Sequence, residues 1–145
     1  MKTTFIVSAI LGLLGGIVCG YYSAVDASQA MESAAAISVS QVTSNFSVQQ
    51  FKHADPDHAR NAVLEEIQIL QLLEKATHGR YHSAELWVAY TRLAMIEESS
   101  NHLDAARSAI AQAKSWLKVD HPGREPTEDQ MKQGVRGMDD ALDRF

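Results

Sequence analysis

Cysteine is almost missing from this chain. A single one, Cys19, stands among 145 residues, which excludes an internal disulfide and any cysteine-rich zinc module within one chain. Proline is scarce at three residues and aromatics make up only 7%, a composition that suits helices better than a β-sandwich. There is no run of basic residues, and the net charge of −5 excludes nucleic acid as the main partner. What remains is globular in character, with 46% apolar and 21% charged residues, at a length that suits one domain.

Charge is also missing locally. No charged residue stands between positions 3 and 25, and positions 5–18 are almost wholly apolar. Roughly 20 apolar residues rising about 1.5 Å each cross a bilayer core of about 30 Å. A helix satisfies its own backbone there. Tyr21 and Tyr22 close the segment, where amphipathic rings favour the membrane–water boundary.

The competing reading is a secretory signal cleaved near Val25-Asp26-Ala27 or Val18-Cys19-Gly20. Ser8, Gly12, Gly16, Gly20 and Ala24 recur every four residues, however, and so line one face of a helix. Small residues at that step let two membrane helices approach closely, which favours a retained anchor and self-association through it. Lys2 precedes the segment and the next basic residue is Lys52. The positive-inside bias therefore keeps the N-terminus cytoplasmic and exports the rest, into the periplasm or its equivalent. A cleaved signal leads to the same compartment.

Three regions are expected: an anchor over 1–25, a Ser/Ala/Gln-rich stalk or linker helix over 26–54, and a helical domain over 55–145. In the stalk, Met31, Ala35, Ser38, Val42 and Phe46 fall at helical spacing. Asp55 before Pro56 reads as an N-cap followed by proline at the first helical position. The apolar residues from Val63 to Leu73 cover more than one stripe, which predicts a helix to about Thr77 packed on two sides. A second helix is expected from Ser83 to about Ser99. Leu103, Ala106, Ile110, Ala113 and Leu117 then form one continuous seam, with burial of Leu103, Ile110 and Leu117 contributing about 1.5–3 kcal/mol each. Thr127 with Gln130 predicts a capping box opening a last helix, whose seam runs Met131, Val135, Met138, Leu142, Phe145. Gly134 and Gly137 inside it cost roughly 1 kcal/mol apiece against alanine. Short connections make neighbouring helices antiparallel.

Part of this pattern resembles a tetratricopeptide repeat, a helical hairpin of 34 residues. Tyr90, Leu93 and Ala94 on the first helix and Ala106, Ile110 and Ala113 on the second stand where that family packs its two helices together. The resemblance covers about positions 87–119. Glu97 replaces the usual Tyr and Lys118 the usual Pro. It implies a short α-solenoid whose first helices present a concave face to a protein, with Tyr90, Arg80 and Arg92 on that face. The periodicity fits a plain antiparallel bundle equally well.

Catalytic patterns are lacking. There is no Gly-x-Ser-x-Gly, no glycine-rich phosphate loop and no His-Glu-x-x-His. The six histidines read as polar loop residues, since a glycine separates His78 from His82. Glu65/Glu66, Glu97/Glu98 and Asp139/Asp140 are adjacent carboxylates and read as solvated faces. Trp87 and Trp116 read as core or edge-packing residues. No cofactor, metal or enzymatic activity is expected. The sequence points instead to an all-α, membrane-anchored, non-catalytic interaction module or accessory subunit with a membrane-associated protein partner. The alternative is a cleaved, secreted bundle binding a small ligand or metal.

Overall fold

The computed structural model describes residues 31, 34–77 and 82–142, and every regular element among them is an α-helix. The expected anchor and its stripe of Ser8, Gly12, Gly16, Gly20 and Ala24 lie outside the described residues, as do His78 and Arg80. Among the described residues no helix is long and apolar enough to cross a membrane. One compact unit runs from Ser38 to Phe145 and takes in much of the stretch expected as a stalk. Its helices are α1 (34–53, counted here from Ser38), α2 (Pro56–Ala76), α3 (Ser83–Ser99), α4 (Leu103–Asp120) and α5 (Glu128–Leu142).

The helix ends follow the local chemistry. Asp55 caps α2 by accepting from the backbone N–H of Asp57 and His58, and Pro56 opens the helix. The capping box of α5 is reciprocal: Thr127 N–H donates to Gln130 Oε1 while Gln130 N–H donates to Thr127 Oγ1. Between α3 and α4, Asn101 takes φ +61, and His102 N–H and Asn101 N–H return to the carbonyls of Glu97 and Glu98. That is a Schellman turn with asparagine in the left-handed position usually held by glycine.

The core has two parts. In the larger, Ala59, Val63, Ile67 and Leu70 of α2 meet Leu86, Ala89, Leu93, Ala94 and Ile96 of α3 and Ala109 and Ile110 of α4. In the smaller, Ala113 and Leu117 of α4 meet Met131 of α5 against Trp87 and Tyr90 of α3. The end of α3 thus packs on the start of α4, and its start on the end of α4, which makes the hairpin antiparallel. Helix α3 touches α2, α4 and α5, and its buried residues lie all around its circumference. The burial of α3 is thus broader than that of α2, which meets α3 and α1 along a single stripe. Leu72 of α2 faces solvent at 66% exposure.

Two further expectations are corrected. Leu103 is 51% exposed rather than buried, because it is the first residue of α4 and lies beside the turn, below the packed stretch of the seam. In α1 the helix is as expected but the buried face is not. Val42 and Phe46 are exposed, while Ser40, Ser47 and Val48 turn inward.

Candidate functional site

Ser44 and Ser47 of α1 face the bundle on the side where Glu66 lies. Arg92, at the middle of α3, is only 4% exposed. Its Nε and Nη2 hold the Asp139 carboxylate of α5 in a bidentate pair, at 3.2 and 2.6 Å. Its Nη1 lies 3.5 Å from Glu66 Oε1 of α2. Ser44 of α1 donates to the same Glu66 oxygen at 2.6 Å. The Lys52 ammonium of α1 donates to the backbone carbonyl of Asp139. That carbonyl lies in the last turn of α5, where carbonyls lack helical partners and a cation is favourable. One arginine and two acids thus join α1, α2, α3 and α5.

This placement corrects two readings. Arg92 was expected on a concave partner-binding face, yet its guanidinium is spent inside the bundle. Glu66, Glu97 and Asp139 were expected on solvated faces, yet all three are buried, while Glu65 and Asp140 beside them are exposed. Adjacent residues on a helix diverge by about 100°, so one acid of each pair falls on the packed stripe. Glu66 lies three residues after Val63 and four before Leu70, and Asp139 four after Val135, in step with the core. That register, together with an arginine at an equally apolar position of α3, was the signal available.

Glu97 forms a smaller cluster at the other end of α3. Arg60 Nε donates to its Oε1 at 2.6 Å, and His102 Nδ1 lies 2.9 Å from Oε2. Burial alone would lift its pKa, but these two partners outweigh burial and hold it below the usual glutamate value.

The opening to solvent lies elsewhere. A cleft of about 590 Å³ is lined by Trp87 of α3, Leu117 of α4, Met131, Gly134 and Met138 of α5, and the loop residues between α4 and α5. Leu117 and Met131 are buried and Trp87 is partly so, which gives an apolar floor. His121, Arg124, Glu125 and Gln130 are exposed and give a polar border. Gly134 leaves the floor bare, since a Cβ there would meet no atom within 4 Å. A second cavity of about 510 Å³ includes Phe51, Pro56, Met95, Glu98 and Arg136 among its lining. None of Glu66, Arg92 and Asp139 lines either cavity. The ion cluster is thus placed to hold helices together rather than to meet a solute.

Of the residues expected to pack the hairpin, Leu93, Ala94, Ala106, Ile110 and Ala113 are buried. Tyr90 is half-buried, with its hydroxyl accepting from Gln71 Nε2 of α2 at 2.9 Å. His82 departs from the reading of loop histidines: it is 1% exposed, its backbone N–H donates to Glu74, and both ring nitrogens are buried without a hydrogen-bond partner, Nδ1 lying 4.0 Å from Glu85 Oε1. Among the described residues, no three His, Cys, Asp or Glu side chains are grouped to hold a metal ion.

Compared with protein-family models, with curated proteins and with solved structures, the chain matches none. The reading of its function therefore rests on its own geometry.

Proposed function

We propose that this chain is a membrane-anchored, non-catalytic helical interaction module, exported behind its N-terminal apolar segment, and that it receives a partner protein in the Trp87 cleft. The observation that carries the reading is the cleft itself. It has an apolar floor of Trp87, Leu117 and Met131, a border of exposed polar residues, and a frame of three packed helices. Recognition sites commonly pair an apolar base with a few polar groups that set orientation. The hairpin's likeness to a tetratricopeptide repeat supports the same class of function, but the recognition face moves. Arg92 and the Tyr90 hydroxyl are engaged within the bundle, so the α3–α4–α5 side takes the role first assigned to a concave face.

The test is site-specific photocrosslinking in the native membrane. A photoreactive residue at Gln130, on the border of the cleft, should give a discrete adduct that Gly134→Leu abolishes by filling the floor. The same residue at Arg107, on the exposed side of α4, should give none. Equal adducts at both positions, or an adduct that survives Gly134→Leu in a folded protein, would remove the cleft from the recognition surface.

A second reading draws on the size of the cleft, which falls within the range of about 300–1,000 Å³ common for small-molecule sites. In that case the chain is the cleaved, secreted bundle. An apolar small molecule should then raise the melting temperature of the wild type and not of Gly134→Leu.

A further inference from the structure

The contact between α1 and the bundle is made in part by polar groups that are short of protons or partners. Two buried carboxylates share one guanidinium, and the sharing is unequal. Asp139 takes both short bonds, while Glu66 has a single guanidinium nitrogen at 3.5 Å. Glu66 is 1% exposed, and its Oε2 is buried with no partner. The buried Ser47 hydroxyl of α1 stands beside it, beyond ordinary hydrogen-bond geometry to any group but near enough to act on the Glu66 carboxyl. Lys52, the cation that α1 brings to the cluster, is directed to the Asp139 carbonyl. An ionised Glu66 would therefore be a second buried anion with one long ionic contact, an arrangement whose desolvation cost is not recovered. A proton on the carboxyl removes that charge, and with it the cost of burying a second anion beside Asp139.

We propose that Glu66 carries a proton in the folded protein and acts as a proton-dependent latch on α1. The protonated carboxyl holds Ser44 and Ser47 against α2, and ionisation loosens α1 from the bundle while α2–α5 stay packed. The groups facing Glu66 are Ser44 and Ser47 from α1, Arg92 from α3 and Asp139 from α5.

The titration runs in the same direction. Burial pushes the Glu66 pKa up, ahead of the opposing pull of Arg92 and the two serines, and the neighbouring Asp139 charge adds to the rise. A carboxyl whose pKa is higher folded than unfolded contributes stability that is complete below its ordinary value. That stability is lost as pH rises through the folded value. Acid tightens α1 and higher pH releases it, the reverse of the usual salt-bridged carboxylate.

Infrared difference spectroscopy and hydrogen exchange on the full chain test this. At neutral pH the wild type should show a protonated-carboxyl C=O band that Glu66→Gln lacks. Protection of the α1 amides over 44–52 should fall about tenfold for each pH unit above the midpoint of that band. In Glu66→Gln, which keeps the neutral shape, protection should not change with pH. Ser47→Ala removes a hydroxyl that favours the ionised form and should move the midpoint to higher pH. Absence of the Glu66-dependent band at and below neutral pH overturns the proposal. So does an equal loss of α1 protection in wild type and Glu66→Gln, or a midpoint that falls in Ser47→Ala.

Discussion

The α3–α4 hairpin and the α1 contact are two ways of joining helices in one small unit. The hairpin is joined by apolar residues at steps of three and four, with alanines that let the helices come close: Ala94, Ala106, Ala109 and Ala113 are all at least nine-tenths buried. Helix α1 turns its serines inward and leaves Val42 and Phe46 in solvent. It is held by Ser44 on Glu66 and Lys52 on Asp139, with Val48 and Phe51 adding apolar contact. An apolar seam tolerates small shifts because its attraction is not directional. A buried polar contact fails as a unit once one partner is removed, since the others are left desolvated and unpaired.

The largest expected effect is at Arg92. Arg92→Ala leaves the Asp139 carboxylate buried without its cation and should cost about 3–5 kcal/mol in denaturant unfolding. Replacing all three with apolar residues, as Arg92→Met with Glu66→Leu and Asp139→Leu, should recover most of that loss. If the single substitution costs under about 1 kcal/mol, the cluster does not hold the helices and the contrast with the hairpin collapses.

Next comes the seam. Ile110→Ala opens a cavity between α3 and α4 and should cost about 2–5 kcal/mol, read by the same method. Its effect should add to that of a substitution at a distant site and should not depend on pH between 5 and 8. A pH-dependent cost would tie the seam to the ion cluster.

A smaller effect of opposite sign belongs to α5. Gly137→Ala should stabilise the protein by up to about 1 kcal/mol, because a Cβ there meets no atom within 4 Å and alanine costs the helix less backbone entropy. Thermal melting checks this, and a fall in melting temperature would show that α5 needs its glycine. Least is expected at Leu103. Leu103→Ala should change stability by under about 0.5 kcal/mol, since the side chain already stands in solvent. A loss above 1 kcal/mol would restore Leu103 to the seam.

Much of the secondary structure was legible beforehand. The start of α2, the α3–α4 turn and the start of α5 follow from Asp55-Pro56, from Ser100 to His102, and from the Thr127/Gln130 box, because capping depends on residues within one helical turn. Ile110, Ala113 and Leu117 were placed inside by periodicity, which holds wherever one face of a helix is apolar. The errors over buried polar groups share one cause. Arg92, Glu66, Asp139 and the serines of α1 are polar in sequence, and polarity alone sends a residue to the surface. Only the coincidence of four helices brings these groups together.

By itself the sequence determined the all-α character, the positions of most helix ends and the apolar seam of the hairpin. Each is set by interactions within a few residues or by the burial of one helical face. Tertiary structure decided which charges lie inside, which face of α1 is covered and where a cleft opens. A buried ion needs its counter-ion from a different helix, and the seat left open by Gly134 exists only when α3, α4 and α5 come together around it.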